Sequence, residues 1–300
     1  MSKLDNRLNI LIAYPYFSAQ MIAKFKELFP DKNDYRLIVD SGAFSAYNAG
    51  MVVTMDEYCK FLDTLMATGI NMEGYIQLDV IFDGEATKRN YREMLDRGYK
   101  PCPVFTRGDD EQYFLDLVKE DHYVFVGGVQ KGINNRNFAK WILENSIGKK
   151  VHLLAFIKPD FINHYKPYSV DASSWSSTSR FGTLGYYAGG RIKTLEKSLF
   201  SKPPKQEFLN ICNKLKIPLH AIKQLRFNDS WTSFEATNFS EKKDIPVKGL
   251  AQFITLINWV YYSIMAQNKV DTKIYLAVGQ PLHLEIMHGA YKHLVDNKII

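Results

Sequence analysis

The sequence predicts an α/β protein, specifically a TIM-type (β/α)8 barrel. Seven strand-like runs alternate with helix-periodic stretches, mostly roughly 25–35 residues apart, which is the pattern of a parallel sheet with crossover helices. Three of those runs end on an aspartate, at Asp40, Asp79 and Asp171, and strand ends are where barrel enzymes keep their chemistry. The competing open-sheet signatures are missing. No GxGxxG follows the first strand-like run, and GxxxxGK[ST] occurs nowhere.

In chain order, residues 8–13 are apolar and strand-like, and 18–29 have helical spacing with Ser18 as N-cap. Residues 36–39 run straight into Asp40-Ser41-Gly42, a strand ending in a carboxylate with a glycine for a sharp turn. Phe44 then brings an aromatic face near the acid. Thr54 caps a helix over 54–68, Glu57 completes a capping box, and Gly69 stops it. Strands follow at 75–78, 101–105, 123–126, 151–156 and 168–170, with helices at 84–97, 110–120, 135–145 and 159–165 between them. Beyond Asp171 the polar SSWSSTS reads as a loop, and FGTLGYYAGGRIKTL as a hairpin turning at Gly189-Gly190. A helix over 248–267, a strand-like 274–278 and a helix over 283–296 close the chain. The eighth barrel strand falls somewhere in this last region.

The composition is that of a globular protein, 46% hydrophobic and 23% charged. Cys59, Cys102 and Cys212 are odd in number and widely spaced, which argues against a disulfide framework or a zinc site and reads as buried thiols in a reducing compartment. The short N-terminal apolar run, interrupted by Asp5 and Arg7, is too brief for a signal-peptide core or a membrane span, so a cytoplasmic protein is expected. The net charge of +6 is concentrated. Residues 191–248 hold twelve Lys/Arg against six Asp/Glu, which suits either a phosphate-binding surface or a solvated lysine-rich face. Residues 1–190 are therefore expected to carry most of the barrel and the active site. Residues 191–300 are expected to form a basic, mostly helical region that completes the barrel and, on the resemblance described below, contacts nucleic acid.

Three clustered carboxylates repel, so at least one pKa should rise. A carboxylate pair is also the basic apparatus for glycosidic bond cleavage, one attacking the anomeric carbon and the other handling the proton. Each aspartate alone is equally a helix cap or turn acceptor. Carboxylates bind metal too, but the seven histidines do not gather at strand ends: His122 precedes its strand, and His152 sits inside one. No metal is expected.

These residues carry a resemblance. DSGAFS at 40–45 resembles the DSGG[FY]Q of the tRNA-guanine transglycosylase superfamily, and LDVIFD at 78–83 resembles the segment whose acid reads the base. FVGGVQKG at 125–132 resembles AVGGLAVGE. VHLLAF followed by SVDASSW resembles the strand pair leading to the nucleophilic aspartate, and RFGTLGYYAGGRIKTL at 180–195 the hairpin that follows it. The match covers roughly residues 35–195 and is closest to the virus-associated branch that places 7-deazaguanine bases in DNA.

The resemblance implies Asp171 as nucleophile at C1′ and Asp40 as general acid/base. Ser41, Phe44, Asp79, Gly127, Gly128 and Val129 would bind the base: Phe44 by stacking, Asp79 on its Watson–Crick edge, and the backbone of Gly128 and Val129 at its exocyclic groups. Arg180 stands where the family has an arginine that contacts the substrate strand, and reads otherwise as a surface arginine. Trp175 would stack on a nucleobase or pack the loop, and Arg191 and Lys193, in the basic segment, would meet the nucleic acid. Two departures stand out. The zinc motif of the tRNA enzymes is missing, since 201–214 holds only Cys212 and LINWVYY shows Asn258 where the zinc histidine is expected. The base-reading VQGG is replaced by VFTRGDD at 104–110. The expectation is thus exchange of guanine in DNA, flipped or single-stranded, for a free 7-deazaguanine, without cofactor or zinc subdomain. Homodimerisation is left open. A tRNA substrate, a non-catalytic nucleic-acid-binding barrel and a carbohydrate glycosidase are the alternatives.

Overall fold

The computed structural model describes residues 4–129, 135–176, 181–196, 205–223, 239 and 249–300. Its main sheet has eight parallel strands: β1 (Leu8–Ala13), β2 (Tyr35–Asp40), β3 (Gly74–Tyr75), β4 (Val104–Thr106), β5 (Val124–Gly127), β6 (Val151–Leu153), β7 (Ser169–Ala172) and, after a long excursion, β10 (Lys273–Val278). Their spatial order is β3-β2-β1-β10-β7-β6-β5-β4. The sheet curls, and the chain just after β3 touches the chain just before β4. Ile76 bridges Cys102 in parallel register, the Cys102 amide donates to Tyr75 O, and the Gln77 amide donates to Cys102 O. A helix-wrapped, curled parallel sheet of this kind is compatible with a TIM-like fold.

The helices α1 (Ala19–Leu28), α2 (Ala43–Asn48), α3 (Met55–Ala67), α4 (Gly84–Asp96), α5 (Glu111–Lys119), α6 (Asn135–Glu144) and α7 (Pro159–Tyr165) follow the strands in turn. Their starts are written locally. Ser18 accepts from the Met21 amide at α1, and Thr54 and Glu57 form a complete capping box at α3. The short α2 has no counterpart in the sequence reading. The expected strand over 75–78 shrinks to β3 plus a single bridge.

Strand alternation divides the core in two. Leu8, Ile10, Ile12, Leu37, Val39, Val124, Val126, Val151, Leu153 and Val170 pack outward under the helices. Leu11, Ile38, Ile76, Cys102, Val104, Phe125 and Tyr275 form a second cluster on the other face. By the same period of two, Asp40 lies on this inner face above Ile38, and His152, Ser169 and Asp171 lie there on β6 and β7. At the strand starts, Glu73 accepts from Lys273 Nζ and Tyr275 Oη, each at 2.5 Å, and from Tyr168 Oη at 3.0 Å, tying that end shut.

β8 (Thr183–Ala188) and β9 (Arg191–Glu196) form the expected hairpin, with Gly189 and Gly190 at φ of 60° and 76° in its two-residue turn. After α8 (Gln206–Lys214) and α9 (Leu219–Lys223) comes α10 (Leu250–Lys269), buried along nearly its whole length as an all-round apolar helix must be. It packs against β8, β10 and α11 (Pro281–Asp296). Thr255 Oγ1 accepts from the Gly185 amide at 3.0 Å, and Asn258 Oδ1 from the Tyr187 amide at 2.9 Å, so α10 satisfies donors of the hairpin. Asn258, where the resemblance places a zinc histidine, is fully buried in this backbone contact. The 191–300 segment also supplies the eighth strand, because β10 pairs with both β1 and β7. Most of the basic stretch between 197 and 248 lies outside the described residues. All three cysteines are buried and free. No helix is long and apolar enough to cross a membrane among the described residues.

Candidate active site

Asp40 ends β2, Asp79 follows β3, and Asp171 sits in β7. Asp40 is held by the Gly42 amide, which donates to Oδ1 at 2.6 Å. Burial raises its pKa to about 7, helped by the charge of Asp79 and, less, of Asp171. The repulsion expected of clustered carboxylates therefore acts on Asp40, adding to the larger effect of burial. Asp79 is also raised by burial, while the Ser41 hydroxyl, donating to its Oδ1 at 2.6 Å, works the other way. Behind both acids the buried Tyr58 hydroxyl donates to Ile76 O at 2.6 Å, and it feels the charges of Asp40 and Asp79.

Gly42 is indispensable to this geometry. Its φ is +72°, and a Cβ there would lie 2.2 Å from Pro15 Cδ in the loop after β1. Gly42→Ala should cost about 2 kcal/mol or more, read as a lower denaturant midpoint, because the left-handed conformation alone costs roughly 1–2 kcal/mol. An unchanged midpoint would refute the assignment.

Asp171 is nearly buried. Its Oδ1 accepts from the Ala155 amide at 2.5 Å and lies 3.1 Å from His152 Nε2. Ala155 reaches this position with a φ of +53°, a conformation an alanine rarely adopts. His152 is completely buried, stacked on Phe125 with ring centroids 4.6 Å apart. Its Nδ1 lies 2.8 Å from Ser169 Oγ, which in turn lies 2.7 Å from Tyr123 Oη. Sequence reasoning placed His152 inside a strand and gave it no role. The available signal was alternation: His152 and Asp171 are both inward positions on strands that follow one another in the chain.

A cavity of about 340 Å³ opens beside Asp171, lined by Asn135, Ala155, Phe156, Ile157, Lys158, Ala172, Ser173 and Ser174 as well. That is within the usual range for small-molecule sites. Asp40 and Asp79 do not line it. Phe44 lies on α2, half exposed. Gly128, at φ +74°, closes β5 with the space of its missing Cβ facing Arg107 at 3.0 Å, so the loop after β4 already gives a steric reason for glycine. A Cβ at Gly127 would meet Thr106 Oγ1 only at 3.4 Å, an ordinary contact, and the Val129 side chain is fully buried.

Among the residues expected at the nucleic acid, Trp175 is fully buried, donates from Nε1 to Ala277 O at 3.0 Å and meets His283 edge-on, which is the packing alternative for this residue. Lys193 pairs with Glu207 at 2.7 Å, and Arg191 is exposed at the hairpin turn. Arg180 lies outside the described residues. No group of three or more His, Cys, Asp or Glu arranged to hold a metal occurs among the described residues. No family model matches the chain, and neither a curated protein nor a solved structure matches it.

Proposed function

We propose that this chain exchanges guanine in DNA for a free 7-deazaguanine base through a covalent glycosyl-aspartate. One observation carries the reading: three aspartates from three separate strand regions stand close enough that the charges of Asp79 and Asp171 raise Asp40. The order of motifs resembling the guanine transglycosylases supports it, and so does the curled parallel sheet, which we read as a (β/α)8 barrel with its site at the C-terminal strand ends.

In the first half-reaction a carboxylate oxygen of Asp171 attacks C1′ of the nucleotide. The C1′–N9 bond breaks, its electron pair leaves with guanine, and protonated Asp40 gives its proton to the departing base. In the second, ionised Asp40 takes the N9 proton of the incoming deazaguanine. The freed nitrogen pair attacks C1′, and the ester to Asp171 opens. Both steps pass through oxocarbenium-like states that the carboxylates stabilise. A pKa near 7 suits a group that must act first as acid and then as base. The target base must leave the helix stack, so single-stranded or flipped DNA is the substrate form. Exposed Arg191 is available to a phosphate backbone.

Nucleoside mass spectrometry tests this. Protein is incubated with candidate 7-deazaguanine bases and either DNA or tRNA, and the polymer is digested. A deazaguanine nucleoside is expected from DNA. Its appearance only from tRNA would replace the polymer, and its absence from both would refute the exchange.

A further inference from the structure

We infer that a buried hydrogen-bonded chain, Tyr123–Ser169–His152, holds one oxygen of Asp171 and leaves the other, Oδ2, as the atom that attacks. The inference rests on the proposed role of Asp171 as nucleophile, but the state of the chain can be measured without it. The directions of the bonds follow from the donors available. The Ala155 amide can only donate, and it donates to Asp171 Oδ1 at 2.5 Å. Oδ1 is therefore an acceptor. His152 Nε2, 3.1 Å from the same oxygen, must carry a proton and donate as well. A neutral ring then has its lone pair on Nδ1, which accepts from the Ser169 hydroxyl at 2.8 Å. Ser169 Oγ, with its one proton committed, accepts from Tyr123 Oη at 2.7 Å. Each proton is shared once, and the chain ends on a phenol that only has to donate.

Both hydrogen bonds given to the Asp171 carboxylate among the described residues land on Oδ1. Oδ2 receives none there, and the carboxylate borders the 340 Å³ cavity. His152 is accordingly a positioning residue. It fixes the carboxylate rotamer from below, and its own ring is fixed by stacking on Phe125 and by register, since His152 and Ser169 are paired across β6 and β7. By analogy with the outer partners that orient metal ligands, removal of His152 should change activity by about 10- to 100-fold.

Two measurements test the inference. Long-range proton–nitrogen spectra of histidine-labelled protein at neutral pH should show one of the seven histidines as a neutral Nε2–H tautomer, assigned to His152 by its loss in His152→Gln. A Nδ1–H tautomer or an imidazolium at that position overturns the chain, whether or not the protein exchanges bases. In single-turnover guanine release, His152→Phe should lower the rate about 10- to 100-fold with KM for DNA unchanged. His152→Gln, whose side-chain amide can still donate to Oδ1, should recover most of it. Equal losses in the two variants with an intact fold would overturn the positioning role. Exchange missing from wild type alongside the Nε2–H tautomer would instead overturn the transglycosylase reading alone.

Discussion

Replacing Asp171 with alanine should lower the proposed base exchange by about 10⁴-fold or more, because under that mechanism the substitution removes the atom that bonds to C1′. The protein should remain folded. Asp171 lies on the inner face of β7, and its loss leaves the Ala155 and His152 donors unpaired but removes a buried charge. Binding of the free deazaguanine should survive, since Asp79 and Ser41 are untouched. A secondary effect follows from electrostatics: with one negative neighbour gone, the Asp40 pKa should fall. Isothermal titration with the base and single-turnover kinetics separate the two functions. Retained exchange in this variant would end the covalent mechanism.

Asp40→Asn should lower exchange by about 10²- to 10⁴-fold, the usual contribution of a positioned acid/base. The Gly42 contact can persist, because the amide oxygen still accepts. The pH profile of the wild type is the sharper test. Under the proposed mechanism guanine release needs protonated Asp40 and should fall as pH rises through about 7, whereas addition of the incoming base needs the carboxylate and should rise through the same range. The asparagine variant should lose both limbs.

The same titration affects stability. Asp40 ordinarily ionises at 3.8, but in the folded chain it does so at about 7. Between these values the native state holds a proton that the unfolded chain has released, so stability falls as pH rises from about 4 to 7 and is then flat with respect to this group. Above pH 7 the folded state carries the full penalty of the buried charge, at most a few kcal/mol. Asp40→Asn should therefore be more stable than wild type at pH 8, by denaturant melts. A variant less stable at pH 8 would contradict the placement of Asp40 beside Asp79.

What the sequence made legible was what the chain encodes locally. Ser18, Thr54 with Glu57, and the Gly189-Gly190 turn each specify their element within a few residues, and each appears where expected. Asp40 stood out because an apolar run ends on it. α2 was missed because GAFSAYN begins at a left-handed glycine without a side-chain cap, so its start carries no polar signal. β10 could not be placed because its neighbours are set by the sheet rather than by the chain: it inserts between β1 and β7 about a hundred residues after β7. Trp175 sits in a polar, serine-rich stretch that reads as a loop, and the residues that bury it, on α10, β10 and α11, all lie much further along the chain. His152 failed for a related reason. Its meaning lies across the strand, in register with Ser169 and one inward position below Asp171, and periodicity along one segment does not reveal a partner on the next.

The central claim is a bond between Asp171 and a deoxyribose carbon, and it is tested most directly by trapping that bond. Protein is mixed with a guanine-containing single-stranded oligonucleotide, without acceptor base, denatured rapidly, digested and mapped by mass spectrometry. The predicted result is release of free guanine together with an equal amount of deoxyribosyl ester on the peptide carrying Asp171. Guanine release with no protein-linked sugar, or a sugar attached to a different residue, would contradict the account.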